Sequence, residues 1–126
     1  MDPSAGRGGE AISLYERALA ECERVLGPEH PNALTSRMAL GSAYESAGRT
    51  PEAISLFEQT LADCERALGP DHLYTLTSLK NLAGAYRAAG RIGEAIPLYE
   101  RTLTDCERIL GEKHPDTLNF RNNLAL

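Results

Sequence analysis

A pattern that returns every 42 residues constrains this chain more than anything else in it. Gly6, Gly48 and Gly90 open the copies, and the central one reads GRTPEAISLFEQTLADCERALGPDHLYTLTSLKNLAGAYRAA over residues 48–89. A fixed period of this size is the mark of a solenoid, in which each unit buries its apolar face only against its neighbours. The repeats are expected at 6–47, 48–89 and 90–126, the last incomplete. A flexible leader is expected over 1–8 and the solenoid over 9–126.

Each copy holds two helical segments. In residues 51–68 the apolar positions Ile54, Phe57, Leu61, Cys64 and Leu68 advance by alternating steps of three and four, one stripe of an α-helix. Thr50 is the expected N-cap and Pro51 suits the first turn, where a missing N–H costs nothing. Gly69-Pro70 ends the segment. In residues 73–89, Leu76, Leu79, Leu82, Ala83 and Tyr86 share a second face. No segment alternates with period two beside hairpin turns, so no sheet is expected. Six helices follow, at about 9–26, 31–47, 51–68, 73–89, 93–110 and 115–126, by applying the same pattern to every copy. Short connections make successive helices antiparallel neighbours.

Composition narrows the function. The net charge is −5, and a nucleic-acid partner needs a basic stripe to displace phosphate counterions. Glu16-Arg17, Glu23-Arg24, Glu65-Arg66 and Glu107-Arg108 read as solvated helix faces. No apolar run approaches the roughly 20 residues of a membrane helix, and no secretory signal is visible in Met1–Gly9. The expected setting is cytoplasmic, with neither nucleic acid nor membrane as partner. Cys22, Cys64 and Cys106 recur at the same step. Equivalent sites on stacked helices lie about 8–10 Å apart, beyond the roughly 4.4–6.8 Å that a disulfide spans. They are expected as small core residues.

The run Asn81-Leu82-Ala83-Gly84-Ala85-Tyr86, then Gly90-Arg91, Glu94-Ala95-Ile96 and Leu98-Tyr99-Glu100, resembles the tetratricopeptide repeat (TPR). The resemblance implies an all-α, right-handed superhelix of antiparallel helix pairs A and B. It puts small residues at Gly41, Ala83 and Ala125, where helices approach closely. It puts an Ala and an aromatic on helix B at Ala11 and Tyr15, Ala53 and Phe57, Ala95 and Tyr99. The usual 34-residue repeat ends helix B with Pro; here Glu23, Glu65 and Glu107 stand there, so helix B runs on to Gly27, Gly69 and Gly111. This long form resembles the repeats of kinesin light chain.

The family implies a protein-interaction scaffold whose concave face is lined by helix A. By register, that face takes Thr35, Met38, Ala39, Ser42 and Glu45, then Thr77, Lys80, Asn81, Gly84 and Arg87, then Asn119, Asn122 and Asn123. Asn81 and Asn123 match a family asparagine that bonds a ligand's backbone; Ala39 departs from it. Lys80 and Arg87 share a helix face and suit an acidic peptide.

No catalytic residue, cofactor or metal is expected. His30, His72 and His114 form a ladder that cannot converge on one ion, and are expected to hydrogen-bond near the starts of helices. Gly6-Arg7-Gly8-Gly9-Glu10-Ala11 spells a dinucleotide fingerprint but lacks the strand it requires. Pro97 is expected to cause a small distortion. Tyr74 and Phe120 break the repeat pattern. The first helix lacks its own A and the last its own B, so Ile12, Tyr15 and Leu19 at one end and Leu118 and Leu124 at the other are expected to stack head to tail. Structural self-association of that kind is the alternative function.

Overall fold

The computed structural model describes the backbone of residues 3–124 and the side chains of 9–122. Six helices run in order: α1 (Pro3–Leu26), α2 (Pro31–Ser46), α3 (Thr50–Leu68), α4 (Leu73–Ala88), α5 (Ile92–Leu110) and α6 (Pro115–Leu124). No strand occurs among the described residues. Each helix packs on the next, and α2 also touches α4. Thus α2, α4 and α6 are the A helices and α1, α3 and α5 the longer B helices of an α-solenoid. None of the described helices is long and apolar enough to cross a membrane.

Local chemistry sets the helix ends. Gly69 follows α3 at φ 91° and ψ 162°, a region open essentially to glycine alone. Thr50 does not cap α3 as expected. It is the first helical residue, and Arg49 stands at the cap without a side-chain bond. Arg49 instead pairs with Glu52 and stacks over Tyr44, 4.6 Å from the ring centroid. Arg91, Glu94 and Tyr86 repeat this arrangement one copy later, again at 4.6 Å. α5 runs unbroken through Pro97. The helical backbone of α1 begins at Pro3, inside the segment expected to be a flexible leader. Extending a helix already anchored by packed turns costs far less than starting one.

The core lies along the seams between helices. Ala53, Ile54, Phe57, Leu61, Leu79, Leu82, Ala85, Tyr86 and Ala95 form one continuous cluster across α3, α4 and α5. A second joins Leu34, Met38 and Cys64, with Leu68 and Tyr74 against it. All three cysteines are free; Cys64 and Cys106 are buried and Cys22 is half-buried. Buried threonines are satisfied locally: Thr60 and Thr102 hydroxyls donate to Leu56 and Leu98 carbonyls at 2.7 and 2.6 Å.

Gly41 marks the closest approach. A Cβ there would lie 2.3 Å from Phe57 Cε1, a ring that is buried. Gly84 has nothing within 4 Å of its Cβ position. Gly41→Ala is therefore expected to destabilise the fold by about 1–3 kcal/mol through overpacking, despite alanine's better helix propensity. Gly84→Ala is expected to stabilise it by roughly 0.5–1 kcal/mol. Urea unfolding of the pair checks this; a Gly41→Ala protein as stable as the parent contradicts the close approach.

Polar ties reinforce the seams. Buried Arg37 pairs with Asp63 of α3, donates to the Pro28 carbonyl at 2.8 Å, and lies 3.8 Å from Glu23. Burial raises the Asp63 carboxyl, but hydrogen bonds from Arg37 and Arg66 outweigh it and hold the group below its ordinary value. A carboxyl lowered on folding stabilises above its unfolded pKa, and that contribution disappears as pH falls through its folded one. Asp63→Asn is expected to lose about 1–3 kcal/mol at neutral pH. The deficit should fade in strong acid, read by urea unfolding at several pH values; a constant deficit contradicts the assignment.

Candidate functional site

The solenoid presents two unlike sides. The backbones of α2 and α4 approach closely, whereas among the described residues those of α1 and α3, of α3 and α5, and of α4 and α6 do not. The B helices are spread, and a cleft of about 390 Å³ opens between α1 and α3, lined by Leu19, Glu23, Arg37, Leu56, Gln59, Ala62 and Asp63. Long side chains bridge this spread side: Arg101 reaches Glu65 at 3.0 Å from α5 to α3.

Thr77, Lys80, Asn81, Gly84 and Arg87 follow one another along α4 at helical spacing, and all retain solvent exposure. Thr35, Ala39, Ser42 and Glu45 do the same on α2, and Asn119 and Asn122 on α6. The threonine hydroxyls are already engaged. Thr35 donates to the carbonyls of Pro31 and Asn32 at 3.2 and 3.0 Å, and Thr77 to that of Leu73 at 3.0 Å.

Most of the arginines are paired. Arg24, Arg37, Arg49, Arg66, Arg91, Arg101, Arg108 and Arg121 are all held in ion pairs. Among the described residues, Lys80 and Arg87 on α4 have no carboxylate within ion-pairing distance. Arg17 and Lys113 have none either, but they stand apart, on α1 and in the turn before α6. Burial pushes the Cys106 thiol up, and the nearby Lys80 charge opposes that rise. Glu45 holds the position on α2 that Arg87 holds on α4, is half-buried, and has its carboxyl raised by that burial.

Two expected site residues prove to be core. Met38 is 7% exposed and packs with Leu34 and Cys64. It shares a repeat position with Lys80, which is half-buried. Ile12, expected at an open end, is 3% exposed, as its equivalent Ile54 is. Tyr15 and Leu118 are exposed and Leu19 is half-buried. The side chains of Asn123 and Leu124 lie outside the described residues. Phe120 is buried against Tyr99, with ring centroids 5.6 Å apart. Tyr74 packs on the second cluster with its edge to His72. Neither is a free aromatic anchor.

The histidines do what their position suggested: Nδ1 of His30, His72 and His114 accepts the backbone N–H two residues on, at 3.1, 3.0 and 3.1 Å. Sequence reasoning missed the Arg37–Asp63 tie and the cleft it floors. The only signal for it was that Arg37, Leu79 and Arg121 share one repeat position.

A family model described as "Tetratricopeptide repeat" matches residues 4–66, 47–104 and 83–126. Among solved structures, the nearly identical TPR-like repeats of a candidate kinesin light chain from Podosopora anserina superpose with a TM-score of 0.86 at 35% identity, covering 95% of this chain and 57% of that one. A singly substituted form of the same protein gives the same values. BtubC (BKLC) from P. vanneervenii shares the fold, with a TM-score of 0.83 at 23% identity over 94% of this chain and 47% of that one. The chain therefore spans about half the length of these structures. No curated protein matches the sequence.

Proposed function

The chain belongs to the tetratricopeptide repeat family, and from that premise we propose that it is a non-enzymatic scaffold that holds an extended peptide segment of a protein partner along its A-helix face. The observation that carries this reading is the disposition of charge. The solenoid ties up most of its arginines in ion pairs along the seams, yet leaves Lys80 and Arg87 unpaired beside Asn81 on α4. Two cations flanking an amide that can bond a peptide backbone suit a ligand with acidic side chains. The small floor of Ala39, Ser42 and Gly84 lets a main chain approach. Glu45, its carboxyl raised by burial, disfavours a second acidic residue on the α2 side and favours a basic or neutral one there.

The test is an arrayed peptide library probed with the parent chain and with the Lys80→Ala/Arg87→Ala double variant. Acidic peptides are expected to dominate the parent's binders. The double variant is expected to bind them about ten-fold or more weakly, with loss of salt dependence. Binding unchanged by the double substitution contradicts the assignment.

A second reading, self-association, is favoured by one observation. Leu14 is 63% and Tyr15 42% exposed on α1, and Leu118 is 43% exposed on α6, while Phe57, the counterpart of Tyr15, is buried beneath Gly41. Light scattering over a dilution series separates the readings: a chain that stays monomeric at high concentration excludes this one.

A further inference from the structure

One end of the solenoid departs from the rule that its internal junctions follow. At the first junction four charged side chains alternate in sign. Arg37 of α2 pairs with Asp63 of α3, Asp63 with Arg66 at 2.7 Å, and Arg66 with Glu29 in the turn before α2. The second junction keeps most of this relay. Asp105 and Arg108 of α5 pair at 3.1 Å, and Arg108 pairs with Asp71 in the turn before α4. Leu79 stands there in the place of Arg37. In both junctions the arginine of a B helix reaches a carboxylate 37 residues earlier.

The third junction breaks the sequence of signs. Lys113 holds the place of Glu29 and Asp71, and Arg121 that of Arg37. Both are exposed, and no B helix follows α6 among the described residues. The apolar surface beside them is uncovered as well. Leu34, which packs with Cys64 of α3, is 0% exposed and Leu76 is 3% exposed, whereas their counterpart Leu118 is 43% exposed. The Arg37 side chain is 10% exposed; that of Arg121 is 46% exposed and reaches back to Glu107 at 3.0 Å. This end therefore presents a leucine and two cations where an incoming B helix would lie.

We propose that this edge of α6 docks an amphipathic helix of a partner protein that carries two carboxylates three residues apart, and that Lys113 selects it over a second copy of this chain. The spacing follows from the internal junctions. The incoming helix must meet Arg121 from the place of Asp63 and Lys113 from the place of Arg66, two places on one helix face. An apolar stripe like that of α3 covers Leu118. A second copy would bring α1, where Glu21 and Arg24 hold those places and pair with each other. Glu21 suits Arg121. Arg24 meets Lys113, a like-charge contact at the spot where the internal junctions form their ties. Glu112 takes the place of Pro28, whose backbone carbonyl is what Arg37 contacts, so it lies one residue off the tie. None of these residues belongs to the α4 row offered to a peptide, so the two readings can fail separately. Self-association through this end is what Lys113 holds down.

Charge reversal in the full chain tests this, with the chain's own α1 as the probe. Arg24→Glu puts a second carboxylate three residues after Glu21, the pattern required. Lys113→Glu restores the sign found at the internal junctions. Sedimentation equilibrium at about 0.1 M salt is expected to show each single variant self-associating about five-fold or more tightly than the parent, as one repulsion becomes one exposed ion pair. The Arg24→Glu/Lys113→Glu double variant is expected to return to the parent's level, and the differences to shrink at about 1 M salt. A single variant no tighter than the parent overturns the proposal, as does a double variant as tight as the singles. Leu118→Gln in the Arg24→Glu chain is expected to remove the gain; a gain that persists places the contact elsewhere and overturns the proposal too. All three positions are exposed, so the variants are expected to keep the parent's helical circular dichroism.

Discussion

The structure depends on the depth to which helix B can sink onto helix A. Phe57 lies flat enough over α2 that position 41 has no room for even one methyl group. That contact draws α3 toward α2, and α3 then offers Ala53, Ile54 and Leu61 to the next A helix. No helix could bury such a stripe alone, so the 42-residue unit is stable only as part of a row. One period on, Ala83 and Tyr99 hold the places of Gly41 and Phe57, so the closest approach belongs to the α2–α3 seam.

From that seam the two sides of the solenoid follow. Helices drawn together on the A side leave the B side spread, and the gaps there are spanned by long arginines meeting carboxylates. Arg66 and Arg108 hold the loops of the preceding junction through Glu29 and Asp71. Exposed pairs of this kind contribute little individually. The Arg37–Asp63 tie is different, because Arg37 is buried and would be left uncompensated without its partner. On α4, Lys80 and Arg87 are in no ion pair among the described residues.

Much of this was legible in the sequence. The 42-residue step, the glycine stops and the stripes of three and four located every helix to within a residue or two, apart from the start of α1. The histidine caps could be anticipated because one residue type returned at one place beside each helix start. Periodicity is a statement about backbones and seams, and it reads those well. It reads side-chain direction less well. Met38 and Lys80 share a position, yet one is core and the other partly open, because apolar and cationic side chains resolve the same half-buried site differently. Thr50 looked like a cap by type, but the cation–π stack of Arg49 on Tyr44 sets that turn. The Arg37–Asp63 tie joins residues on separate helices, and no local pattern announces it.

The account's central claim is that one repeat cannot stand without its neighbours. The most direct measurement is the far-ultraviolet circular dichroism and thermal melting of residues 48–89 alone, beside the whole chain. The account predicts a largely unstructured segment with no cooperative melt, while the whole chain is helical and unfolds cooperatively. A segment as helical per residue as the intact protein, melting in one sharp transition, would contradict it.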